Sequence, residues 1–226
     1  ANNILDKKYI FNYEGLIAPF SDLFRYKLLF DKGGIWTDCD IISLRKLPNE
    51  NDAKYIFVAE RTILQGAFKS IKPKKVLNSF IRAPKGCELM KIMFEKSLKY
   101  REKYLENKTD KIDNTKNIGL KSFHWGGGSK TLNTYITKLK LEEYITEPEM
   151  AFPINWWDFK YIFKDIEIIP ASRGWTENTI INDIFNNEKT CLITIHNGWL
   201  RNQKLDKNIK YHNNSLYEKL DRFINV

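Results

Sequence analysis

Asp38, Cys39 and Asp40 place two carboxylates two residues apart, directly after the apolar run Ile35-Trp36-Thr37. Side chains alternate faces along an extended chain, so this spacing predicts that both carboxylates aim the same way. Two hard oxygen donors so placed can hold one divalent cation, Mg2+ or Mn2+, with phosphate oxygens and water completing the shell. Such an ion neutralises charge building on a departing diphosphate. Asp22 and Arg25, three residues apart, share a face if their segment is helical, the spacing of a local ion pair. His196 follows the apolar segment 191–195. Imidazole suits Mn2+ better than Mg2+, so a role for His196 in the ligand set would favour manganese. A lone histidine is more often structural, and that reading is the default for His124 and His212. The run Trp125-Gly126-Gly127-Gly128-Ser129-Lys130 offers successive backbone N–H groups to an anion. It lacks the G-x-x-x-x-G-K-[ST] spacing, and a turn without a ligand is an equal alternative.

These groups need elements to carry them. Ser21 as N-cap, Asp22 in the first turn, and Leu23, Tyr26 and Phe30 at helical spacing predict a helix over 21–32, stopped by Gly33-Gly34. Residues 35–38 read as a buried strand running into the acidic pair, and 55–60 as a second strand. Helical spacing is read at 76–81 and 88–104, with Gly86 as the break, and again at 132–141. Residues 166–169 and 191–195 read as late strands. Alternating helices and strands, with polar residues gathered at strand ends, predict an α/β fold: a mixed, mainly parallel central sheet flanked by helices, with its site at the carboxyl edge.

The string Ser21-Asp22-Leu23-Phe24-Arg25-Tyr26, followed by Gly33-Gly34-Ile35-Trp36-Thr37-Asp38-Cys39-Asp40, resembles the signature of the DXD sugar-binding family of glycosyltransferases. Relatives in that family include yeast initiating mannosyltransferases, bacterial capsular polysaccharide synthesis proteins and, more distantly, the large clostridial glucosylating toxins. The likeness continues more loosely through residues 78–86, 152–157 and 195–199. It implies a GT-A type of fold with one nucleotide-sugar-binding domain over 1–226, and transfer of a hexose from a UDP- or GDP-linked donor to a saccharide, glycolipid or protein hydroxyl, with retention of configuration. It further implies that Asp22, Arg25 and Asn78 contact the donor sugar, that Asp40 binds the metal, and that Asp38 touches the ribose or sugar and the metal. His196 falls where related transferases put a late ligand for metal or diphosphate, and Trp199 where a lid residue closes over the donor. Relatives begin with a strand that holds the base. Residues 1–10 contain no comparable apolar strand, so either the N-terminal end is shortened, which is the expectation, or the nucleotide is held differently.

The 226 residues are 42% hydrophobic and 14% aromatic, enough for a substantial core and against wholesale disorder. Lys and Arg exceed Asp and Glu by nine (37 minus 28), which favours an anionic partner without selecting one. A basic nucleic-acid-binding module and an inert GT-A-like scaffold are the alternatives. The acidic pair would repel nucleic-acid phosphates unless a cation intervened, no nucleic-acid motif is present, and Asp22, Arg25, Asp38 and Asp40 are all in place, so neither is favoured. Three widely spaced cysteines without a C-x-x-C pair suggest neither a disulfide framework nor a zinc site and fit a reducing compartment. With no apolar run of bilayer-spanning length, the expected location is cytoplasmic, with membrane contact at most peripheral.

Overall fold

In the computed structural model, which describes residues 4–11, 17–47, 54–60, 75–109, 128–154, 158–169 and 184–224 (the backbone alone at 107–109, 199 and 224), Pro19 sets where the first helix begins. Helix α1 spans Ala18–Lys32, a turn earlier than Ser21 suggests. Proline's fixed φ suits the first turn, where its missing N–H is not needed. The Ser21 N–H already donates to the Ile17 carbonyl at 3.0 Å, so Ser21 lies inside the helix rather than capping it. Gly33 ends α1 at φ 69° and returns its N–H to the Leu29 carbonyl. Its backbone also lies so close to Lys85 that a Cβ would sit 2.5 Å from the Lys85 nitrogen.

The chain forms two compact units. The first comprises Ala1–Thr37, Asp52–Ala59 and Pro73–Ile145. Its sheet has the order β1-β4-β3-β5, with β1 at Gly34–Thr37, β3 at Ile56–Ala59, β4 at Val76–Ala83 and β5 at Ile145–Thr146. Strand β2, Ile41–Ser43, belongs to the other unit. Helices α2, Glu88–Thr109, and α3, Ser129–Lys138, follow β4. Tyr26 and Leu29 of α1, Phe57 of β3, Ile81 of β4, Met93 of α2 and Leu132 of α3 meet in one core. Gly86, at φ 72°, breaks the chain between β4 and α2 as expected.

The α/β class is the one read from the sequence. The pairings of β1 with β4, β3 with β4 and β2 with β6 are antiparallel, in place of a mainly parallel sheet. Parallel neighbours need a crossover connection, usually helical. The described residues between β1 and β4 contain no helix that could serve as one. Strand β1 is not buried: it is an edge strand with Ile35 42% exposed, and Trp36 alone of its side chains packs toward the core.

Residues 76–81 are strand β4 rather than helix. Val76, Phe80 and Ile81 are all buried, a spacing that imitates a helical face. The imitation comes from a bulge, since Phe57 pairs with Ile81 while Ala59 pairs with Val76, which breaks the period of two around residues 77–80.

The second unit comprises Asp38–Asn51, Glu60–Lys72 and Thr146–Val226. Strand β2 pairs with β6, Leu192–Thr194, and β6 leads to α4, Asn197–Asn202; α5, Leu216–Ile224, closes the unit. Phe159, Ile162, Phe163, Ile193, Leu216 and Leu220 form its core. Residues 166–168 make one 3-10 turn instead of a strand. The Asp165 carboxylate accepts the Glu167 N–H at 3.1 Å, and this local bond competes with an extended chain. Among the described residues no helix is long and apolar enough to cross a membrane.

Candidate functional site: the Asp40 corner and the Asp22-Arg25-Asn78 network

Strand β1 stops at Thr37, so Asp38, Cys39 and Asp40 lie in the turn that leads into β2. The alternation argument therefore does not apply to the two carboxylates, and their placement depends on what the turn binds. The Asp40 carbonyl accepts the Ile195 N–H at 2.7 Å, continuing the β2–β6 ladder. Its carboxylate Oδ2 accepts the Asn197 N–H at 2.9 Å, at the first residue of α4. One side chain thus ties the Asp38-Cys39-Asp40 turn to the end of β6. The other oxygen, Oδ1, takes no hydrogen bond among the described residues. Asp38 is half-buried in the same turn.

Between the two tethered N–H groups sits His196, at φ 46°, a left-handed conformation that non-glycine residues adopt rarely. The His196 ring packs 5.1 Å from Phe159, perpendicular to it, and 6.5 Å from Phe152. Burial pushes the imidazole pKa below its usual value, and the Asp40 charge partly offsets this. A neutral imidazole at neutral pH is the form that ligates a metal.

Among the described residues no three side chains of His, Cys, Asp or Glu are gathered closely enough to hold an ion by themselves. An ion bound by one or two carboxylates needs ligand phosphates and water to complete its shell, the usual state of Mg2+ in phosphate-handling sites. Asp40 keeps one oxygen without a hydrogen bond among the described residues, Asp38 lies in the same turn, and the His196 ring is neutral at neutral pH.

In the first unit Asp22, Arg25 and Asn78 come together. Asn78 Nδ2 donates to Asp22 Oδ1 at 2.8 Å and to the Tyr26 hydroxyl at 3.3 Å. Arg25 Nη2 lies 3.3 Å from Asp22 Oδ1, and its Nη1 donates to the Asn78 carbonyl. The guanidinium also stacks over Trp36, 4.9 Å from the ring centroid. The β4 bulge explains why Asn78 is available. Its backbone groups leave the ladder and are taken up by side chains, the carbonyl by Arg25 and the N–H by Ser129 Oγ at 3.2 Å. Ser129 donates in turn to Asn78 Oδ1 at 3.1 Å. One helical turn on, Asn133 bonds both backbone groups of Val76 at 2.8 Å. Asp22 and Arg25 are 8% and 4% exposed, whereas Asn78 is half-buried and is the accessible member.

Ser129 enters the sequence reading only as the end of the glycine run, and Asn133 not at all. Ser129 closes the glycine run and opens α3, a helix-start signal, but what its hydroxyl meets is 51 positions away. Trp199 lies on α4, and its side chain is outside the described residues, as are His124, Gly126 and Gly127. His212 has a structural role, 3.3 Å from Asp165 Oδ2.

Beside Asp40 opens a cavity of ≈ 220 Å³, walled by Ile41, Ile42 and Leu220 and edged by Lys207, Tyr217 and Asp221. No feature of the sequence points to these last three.

No curated protein and no solved structure matches the chain. A family model described as capsular polysaccharide synthesis protein matches residues 6–110, a little under half of the chain. The matched segment takes in Asp22, Arg25, Asp38, Asp40 and Asn78 and stops short of His196 and Trp199. Over that segment the chain is similar to capsular polysaccharide synthesis proteins, which points to a role in polysaccharide biosynthesis.

Proposed function

We propose that the chain is a glycosyltransferase of polysaccharide biosynthesis. It moves a hexose from a UDP- or GDP-linked donor to a hydroxyl of a saccharide, glycolipid or protein acceptor, with Mn2+ or Mg2+ as cofactor and with retention of configuration. The observation that carries this reading is the Asp40 carboxylate, which fixes the corner through Oδ2 and keeps Oδ1 uncommitted beside a neutral His196.

Asp40 and Asp38, with His196 at the same corner, would hold the cation only together with donor phosphates and water, since the described side chains gather no three-ligand cage. Bound there, it supplies electrostatic stabilisation to the leaving diphosphate. Asn78 would hydrogen-bond hydroxyls of the donor sugar. Asp22 and Arg25, more deeply buried, would act mainly by holding Asn78 in place. Trp199, on the helix that Asp40 tethers, would close over the donor.

Thermal unfolding against UDP and GDP sugars, each with Mn2+ or with chelator, tests the reading. A donor at 100 times its Kd stabilises by about 2.7 kcal/mol, a shift of roughly 5–10 °C for a chain of this length. A metal-dependent shift with one donor, lost in Asp40→Ala, is expected. No shift with any donor would overturn the reading.

A further inference from the structure

We infer that the cavity beside Asp40 is a subsite for one neutral saccharide ring, with Lys207, Tyr217 and Asp221 as its polar edge. Its ≈ 220 Å³ lies below the roughly 300 Å³ at which pockets for drug-sized ligands begin. A complete nucleotide sugar is too large for it, and a single ring is not.

The lining selects among small ligands. With the metal removed, an inorganic anion would face the carboxylates of Asp40 and Asp221, with Lys207 the one ammonium of the lining. A wholly apolar ligand would strip water from those charges and return no hydrogen bonds. A polyol ring satisfies both kinds of group. Its hydroxyls donate to the carboxylates and accept from Lys207, and its C–H face packs on Ile41, Ile42 and Leu220.

The polar edge is built in advance. The Tyr217 hydroxyl donates to the Lys207 carbonyl at 2.7 Å, fixing the segment that carries Lys207 to helix α5. The Tyr211 hydroxyl donates to the Asp206 carbonyl at 2.8 Å, and the Tyr211 N–H to Glu218 Oε1 on α5 at 2.7 Å. Ordering of this loop is therefore not charged against binding. That the ring is part of the acceptor is an assignment that rests on the glycosyl-transfer reading; the subsite itself does not.

The test is saturation-transfer NMR on the full chain, with chelator and without nucleotide, using methyl glycosides of glucose, galactose, mannose and N-acetylglucosamine. At least one should bind with a Kd on the order of 1 mM, as a fragment of this size allows. Asp221→Asn and Lys207→Gln, both at exposed positions, should each weaken it about tenfold, the effect of losing one charge-assisted hydrogen bond, with unchanged melting temperature. The donor-dependent thermal shift should persist in both variants. Absence of binding by every glycoside, binding indifferent to both substitutions, or displacement by inorganic pyrophosphate would each overturn the subsite. A donor shift without glycoside binding would sink this inference and leave the transferase reading standing. Glycoside binding without a donor shift would do the reverse.

Discussion

The Asp40 carboxylate accepts the backbone N–H of Asn197 at 2.9 Å, across 157 positions of sequence. The residue expected to hold a metal is thus also the residue that fastens the corner of β6 and α4. The tether uses Oδ2 and the proposed metal role would use Oδ1, so substitution can separate them.

Asp40→Asn keeps an oxygen able to accept the Asn197 N–H, whereas Asp40→Ala removes the tether. The alanine variant should lose about 1 kcal/mol, the usual cost of deleting a helix N-cap. At roughly 2–4 °C per kcal/mol its melting temperature should fall by a few degrees, while Asp40→Asn melts within about a degree of wild type. Both should lose metal-dependent transfer. Melting curves and a transfer assay on the same preparations check this, and an active Asp40→Asn would remove Asp40 from the metal site.

Arg25 is 4% exposed and engages Asp22, the Asn78 carbonyl and the Trp36 ring. Arg25→Ala leaves Asp22 buried beside Asn78 without its cation, which should cost about 3–5 kcal/mol. Ser129→Ala removes a hydroxyl bonded to Asn78 at both its N–H and Oδ1, and should cost about 1–3 kcal/mol. Urea unfolding should show both midpoints lowered, Arg25→Ala the more.

Gly33 and Gly34 both have positive φ, 69° and 93°, yet their surroundings differ. A Cβ on Gly33 meets the Lys85 backbone nitrogen at 2.5 Å, while one on Gly34 meets nothing within 4 Å. Gly34→Ala should cost about 1–2 kcal/mol from backbone strain alone. Gly33→Ala should cost more, because the turn from β4 into α2 must move. Equal melting temperatures for the two variants would contradict the close approach of Lys85.

This pair shows what was legible in the sequence. Local devices were: the double glycine after an apolar helix, the strand that follows it, the acidic pair, and the i,i+3 spacing of Asp22 and Arg25. What escaped depends on partners far along the chain. The β4 bulge broke the alternation that would have identified a strand, and it is stabilised by Ser129 and Asn133 of α3. The left-handed His196 has no sequence signature, since it follows from where Asp40 catches the chain.

His196 supplies the pH prediction. Its ring lies against Phe159 and Phe152, and burial lowers its folded pKa below the unfolded value near 6.5. The unfolded chain therefore binds this proton more readily than the folded one. The stability that neutral His196 contributes is fully present above pH 6.5 and is lost as pH falls through that value toward the folded pKa. In metal-free protein, urea midpoints should decline from pH 7.5 to pH 5, and His196→Gln should flatten the part of that decline nearest 6.5. Carboxylates that titrate below about pH 5 add a separate loss that the substitution leaves untouched. A slope between pH 7 and 6 that is the same in both proteins would mean that His196 charges freely in the folded state, with its ring in water rather than between the two phenylalanines.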